Sequence, residues 1–168
     1  MSAAIAALVV SAPGAAYGMT DIGAPEVPVP VRVFPIAGPH DLGRSLTNGF
    51  GGGRGHSGQD MFGPCGTPVV ASQGGRVREA GYHPAGGNFV VLTEKHTGLD
   101  AVYMHLANRP RLRARESVDT DERIGSVGDT GNASGCHLHF ELWSAPGWYA
   151  GGEPFDPLPR LQRWDSGS

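Results

Sequence analysis

The stretch Gly135-Cys136-His137-Leu138-His139-Phe140-Glu141-Leu142-Trp143 alternates in residue type, and a period of two marks a β-strand. Successive side chains of an extended strand point to opposite faces. His137, His139 and Glu141 therefore share one face, while Leu138, Phe140 and Leu142 share the other. The apolar face belongs to a core. The polar face sets two imidazoles roughly 6–7 Å apart, two residues along a strand. One of them can hold a metal ion while the other serves a neighbouring atom, and the remaining ligands must come from elsewhere in the chain.

The 168 residues fit a single domain large enough to bury a core. Glycine (27) and proline (14) are abundant and only 17% of residues are charged. No long stretch carries a helical apolar period, so the expectation is a turn-rich, all-β protein. The formal net charge is −3. No basic stripe with interleaved aromatics appears, which argues against nucleic acid as a partner. The run Arg109-Pro110-Arg111-Leu112-Arg113-Ala114-Arg115 is the one basic cluster, and a solvated loop is the reading preferred for it over a polyanion site.

Residues 1–17 carry an apolar run, Ala3 to Val10, followed by small residues. This is the pattern of a secretory signal without its usual leading Lys or Arg. The run is too short for a stable membrane span. Residues 18–30, with Ala24-Pro25-Glu26-Val27-Pro28-Val29-Pro30, have linker composition. Residues 31–168 are then the folded domain, exported to the cell envelope or the extracellular space. Val31 to Pro35 reads as a first strand, followed by strands at 66–71, 75–81, 86–94, 101–106 and 123–128, and a short helix around Leu161 to Trp164. In Ala101-Val102-Tyr103-Met104-His105-Leu106, alternation places Tyr103 and His105 on one face and Val102, Met104 and Leu106 on the other. His40, His83 and His96 fall in turns; His40 is expected to be merely solvated, and His83 and His96 to have a surface or capping role.

The glycine-rich segment from Asn48 ends in His56 and Asp60, four residues apart. It lacks the lysine and Ser/Thr ending of a phosphate loop. If that loop folds over the central strand, His56, Asp60 and His139 make a three-ligand set of the kind a catalytic zinc uses, with one position left for water. His105 and His137 remain beside it as free imidazoles able to move a proton or stabilise an oxyanion. Were Asp60 and His139 to meet at one metal, Cys65 and Cys136 would come close. A disulfide is preferred to their serving as metal ligands, because Cys136 points away from the face of His137 and His139 and the chain has the look of an exported protein.

His56-x-x-x-Asp60, Tyr103-Met104-His105-Leu106 and Gly135-Cys136-His137-Leu138-His139-Phe140-Glu141 together resemble the lysostaphin-type zinc metalloendopeptidases. Gly66-Thr67-Pro68-Val69-Val70-Ala71, Gly87-Asn88-Phe89-Val90-Val91 and Ile124-Gly125-x-Val127-Gly128-x-Thr130-Gly131 extend the likeness over roughly residues 34–143. The resemblance implies a glycine-rich, mostly antiparallel, distorted β-sandwich with its site in a groove. It implies one zinc held by His56, Asp60 and His139, catalytic imidazoles at His105 and His137, and peptidoglycan peptides, as crosslinks or stems, for substrate. This chain departs from the family in having no glycine between Arg115 and Glu122, and in carrying Phe50 where many members have tyrosine. Two rivals are a non-catalytic regulator of cell-wall hydrolases and a phosphocarrier domain. The first typically loses zinc ligands, and all five expected site residues are present here. Export and the Asp60 ligand oppose the second. Neither the bond cut nor a regulatory partner can be read from the sequence.

Overall fold

The computed structural model describes residues 31–53 and 55–167; the expected signal segment (1–17) and linker (18–30) lie outside them. The described strands are β1 (Gln59–Phe62), β2 (Pro68–Val70), β3 (Gly75–His83), β4 (Gly87–Glu94), β5 (Asp100–Leu106), β6 (Ser117–Val118), β7 (Arg123–Ser126), β8 (His137–Trp143) and β9 (Pro154–Phe155), followed by helix α1 (Leu158–Asp165). A seven-stranded sheet runs β1-β8-β5-β4-β3-β6, with β9 also paired to β8, and β2 and β7 form a second, two-stranded sheet. All these pairings are antiparallel. The expected fold class, a mostly antiparallel distorted sandwich, is what the chain adopts.

Burial follows the alternation of β8. Leu138, Phe140 and Leu142 are fully buried in the main core with Val90, Leu92 and Tyr103 of the large sheet and Val69 and Ile124 of the small one. That shared core is what holds the two sheets together. Helix α1 closes it with Leu161 and Trp164, whose indole meets the Phe140 ring edge-on at 6.2 Å. On the opposite face of the large sheet, Phe89, Val91, Val102 and Trp143 form a second, smaller cluster. Between the sheets the buried Tyr103 hydroxyl accepts the Ser72 backbone N–H at 3.0 Å. Burial pushes its ionisation well above the usual phenol range.

The alternation expected for β5 fails at one residue, and the failure matters. Val90 pairs with Tyr103, but Asn88, two residues earlier, pairs with Leu106 rather than His105. One extra residue is accommodated on β5, a β-bulge, and His105 takes φ = 62°. Leu106 thereby turns into the main core beside Tyr103, while His105 leaves the Tyr103 face and joins the polar face of β8. The assignment of Tyr103 and His105 to one face, with Leu106 on the other, is thus corrected. The buried Asn88 amide secures the irregularity by donating to the Leu106 carbonyl at 3.0 Å.

Three further elements differ from the reading of the sequence. Val31 to Pro35 is not a strand: the segment touches β2 and the residues after it through single bonds (Val70 N–H to Pro35 O, 2.9 Å; Val33 N–H to Ser72 O, 3.0 Å), with one bridge from Ile36 to Val69, since Pro35 has no N–H for a ladder. The end of the glycine loop is itself a strand, β1, which carries Asp60. The glycine-free turn after β5 keeps left-handed geometry regardless, with Arg115 at φ = 75° and Asp121 at φ = 68°. Cys65 and Cys136 form a disulfide that ties the loop after β1 to the start of β8.

Candidate metal centre

β1 lies alongside β8 with Asp60 directly opposite His139 and Phe62 opposite His137. Residues opposite each other in an antiparallel pair share a face, so the carboxylate rises beside the two imidazoles. The glycine loop then returns over the strand. Gly58 passes so close to β8 that a Cβ there would lie 2.3 Å from the Phe140 carbonyl oxygen, and this approach brings His56 onto the same spot. His56 Nε2 is 3.1 Å from Asp60 Oδ1 and 3.0 Å from His139 Nδ1, and His139 Nδ1 is 2.8 Å from Asp60 Oδ1. These three are the ligands expected from the sequence, and the fold brings all three together.

The outward-facing atoms decide what the inward-facing ones can be. His56 Nδ1–H donates to the Gly49 carbonyl at 3.0 Å, which leaves Nε2 with its lone pair. His139 Nε2–H donates to Glu141 Oε1 at 3.0 Å, which leaves Nδ1 with its lone pair. Glu141 is held in turn by the Trp143 indole N–H, 2.6 Å from Oε2. Three acceptors therefore point at one place, an arrangement that a cation relieves. Two nitrogens and one carboxylate oxygen are a donor set that zinc accepts. Without a cation a proton takes the place. Burial opposes charge on His139, but its hydrogen bonds to Asp60 and Glu141 and their negative charges prevail, and its pKa is held up to about 9. Burial likewise works against the Asp60 anion, yet the hydrogen bond it accepts from the protonated His139 outweighs this and holds the carboxyl well below the usual range.

His105 and His137 stand beside this set without belonging to it. Their rings are 4.6 Å apart, and His105 is 6.0 Å from His139. His105 Nδ1–H donates to the Thr130 carbonyl and His137 Nδ1–H to the Gly135 carbonyl, each at 2.8 Å. Both rings thus turn Nε2 away from the backbone, and His137 Nε2 comes within 3.8 Å of Asp60 Oδ1. Burial, aided by the neighbouring imidazoles, lowers the His105 pKa despite the Thr130 bond. Two imidazoles with fixed tautomers beside a cation-accepting cluster can take up and deliver protons.

The centre opens into a groove of about 930 Å³. Its walls include the glycine loop, the His83–Gly86 turn, Asn132 and Ser134, and Met104, Trp148 and Tyr149. The sequence reading did not assign a role to Glu141, although its place on the face of His139 was legible. The carbonyls of Gly49, Thr130 and Gly135 carry no sequence signal at all. Of the other histidines, His83 caps its turn by accepting the Ala85 N–H at 3.2 Å. His40 is not merely solvated: it stacks on Phe34 at 4.0 Å and lies 3.0 Å from Asp165 of α1. Among the described residues no helix is long and apolar enough to cross a membrane.

Residues 54–157 match the model of Peptidase family M23, more than half of the chain. Over 87 residues the chain is 39% identical to the peptidoglycan DD-endopeptidase ShyA of Vibrio cholerae serotype O1, covering 52% of this chain and 20% of that protein. Over 132 residues it is 33% identical to the glycyl-glycine endopeptidase ALE-1 of Staphylococcus capitis, covering 78% of this chain and 34% of the relative. The catalytic domain of the antimicrobial peptidase lysostaphin from Staphylococcus simulans superposes with a TM-score of 0.58 at 29% identity, covering 80% of this chain and 90% of that one. The matched region is thus a minor part of each of these two curated relatives.

Proposed function

Because the chain belongs to peptidase family M23, we propose that residues 31–168 form a zinc-dependent endopeptidase domain that hydrolyses peptide bonds of peptidoglycan, exported to the cell envelope or beyond. The observation that carries this reading is the convergence of His56 Nε2, Asp60 Oδ1 and His139 Nδ1, flanked by two imidazoles that are not part of the set. A structural zinc site usually has four protein ligands, whereas three with an open side suit catalysis. The substrate assignment is supported by the similarity to ShyA, a peptidoglycan DD-endopeptidase, and to ALE-1, a glycyl-glycine endopeptidase. The Cys65–Cys136 bridge supports export, since disulfides persist in oxidising compartments.

Zinc held by these three atoms would polarise the scissile carbonyl and lower the pKa of a water to about 7. The chain's own residues do the rest. Glu141 keeps the His139 proton on Nε2, so that Nδ1 stays available as a ligand. His105 and His137 spend Nδ1–H on backbone carbonyls and keep Nε2 for the reaction. One accepts the proton of the attacking water. The other, when protonated, donates to the carbonyl oxygen as charge builds on it, and the pair then delivers a proton to the departing amine. A lowered His105 pKa suits the accepting role, because the neutral ring is the one that can take a proton.

Mass spectrometry of purified sacculi incubated with the zinc-loaded protein, with and without chelator, tests the assignment. New peptide termini that disappear with chelation are the expected result. A protein that carries one zinc yet releases none would instead fit a non-catalytic regulator of cell-wall hydrolases.

A further inference from the structure

The segment joining β8 to β9 is far more elaborate than a hairpin requires. Tyr149 lies at its tip, 80% exposed, with the left-handed φ of 46° that a bulky residue rarely adopts. Its ring is packed 4.8 Å from Trp148 and 5.4 Å from Trp143, and Trp148 rests 5.3 Å from Phe89 of the second cluster. The fold holds the tip firmly. The buried Asp100 carboxylate accepts the Trp148 backbone N–H at 2.8 Å and pairs with Arg78 at 3.2 Å, and Arg78 also donates to the Pro146 carbonyl at 3.0 Å. Gly147 sits so tightly against Asp100 that a Cβ there would meet Oδ2 at 2.2 Å. An exposed aromatic in an uncommon backbone conformation, anchored by a buried carboxylate, is costly to maintain, and such strain clusters at binding sites.

The location says what it would bind. Met104 is the register partner of His139 and so shares its face, and Met104, Trp148 and Tyr149 line the same groove as the candidate centre. An apolar floor therefore begins one side chain from the metal-binding set and ends in the aromatic tip. Building on the endopeptidase reading above, we propose that residues 144–152 form an aromatic shelf for the aliphatic side chain of a stem-peptide residue adjoining the scissile bond. The shelf selects crosslinks between side-chain-bearing residues over bridges of bare glycine, which has no side chain to offer it. A residue this near the bond meets the shelf before any glycan strand can.

Equilibrium binding separates this inference from the assignment of activity. The full chain carrying His105→Ala, loaded with zinc so that ligand stays uncleaved, is titrated calorimetrically with three probes. These are two stem peptides joined from D-alanine to a diamino acid, pentaglycine, and a glycan disaccharide free of peptide. The crosslinked stems should bind at least about tenfold more tightly than pentaglycine, the discrimination that one or two buried methylenes supply. Tyr149→Ala should abolish that preference and Tyr149→Phe should keep it. Equal binding of both peptides, no binding by either, unchanged preference in Tyr149→Ala, or tighter binding of the disaccharide would each overturn the shelf. Chelator-sensitive cleavage of sacculi by the unaltered protein decides the enzymatic reading independently.

Discussion

Asp60 and His139 face each other across the β1–β8 pair, with Oδ1 and Nδ1 2.8 Å apart. That contact joins the glycine loop to the central strand, and the chemistry of the groove depends on it.

His139→Ala and Asp60→Ala should each lose bound zinc and activity together, whereas His105→Ala should keep one zinc and lose turnover by about 10²–10⁴-fold, the usual worth of a positioned acid or base. Zinc analysis of the purified variants beside a cleavage assay checks the split. A His105→Ala protein with normal turnover would remove that residue from the mechanism.

Glu141→Gln leaves an amide that can still accept from one partner, but it withdraws the negative charge behind His139. Zinc affinity should fall about 10–100-fold, the usual effect of losing a group that orients a metal-binding histidine. Competition against a fluorescent chelator measures this without reference to catalysis.

Zinc binding should release about one proton per site at neutral pH, since a ligand nitrogen must be deprotonated. His139 has a pKa of about 9 in the metal-free protein, so it carries a proton at pH 7 that the metal must displace, and none at pH well above 9. Calorimetry in buffers of differing ionisation enthalpy counts the protons. Release that does not diminish as pH rises through 9 would show that His139 is not their source.

If His105 is the proton acceptor, activity should persist into mildly acidic solution. Its pKa lies below that of an ordinary histidine because burial disfavours the charged ring. The neutral, accepting form is thus present above that lowered value and is lost only as pH falls through it. The acid limb of kcat/KM in the zinc-loaded enzyme should lie below the ordinary histidine value.

Cys65→Ala with Cys136→Ala should cost about 4 kcal/mol on the chain-entropy model for a loop of this size, given the 71-residue separation. Denaturant unfolding of the double variant reads the loss. The zinc set should survive, because neither sulfur belongs to it.

The alternation of β8 made its two faces, with His137 and His139 on one and the buried Leu138, Phe140 and Leu142 on the other, legible in the sequence alone, because a strand repeats every two residues and burial respects that period. The identity of the three convergent residues was legible as well, from chemistry and from family resemblance. Tertiary structure alone decided how they are used. The bulge at His105 breaks the very period by which strands are read, and it comes from pairing with β4 that no local pattern announces. The strand at Asp60 hides behind a run of glycines and exists because β8 offers it an edge. The proton positions on His56, His105 and His137 follow from the carbonyls of Gly49, Thr130 and Gly135, backbone atoms that every residue possesses and that only the fold can aim.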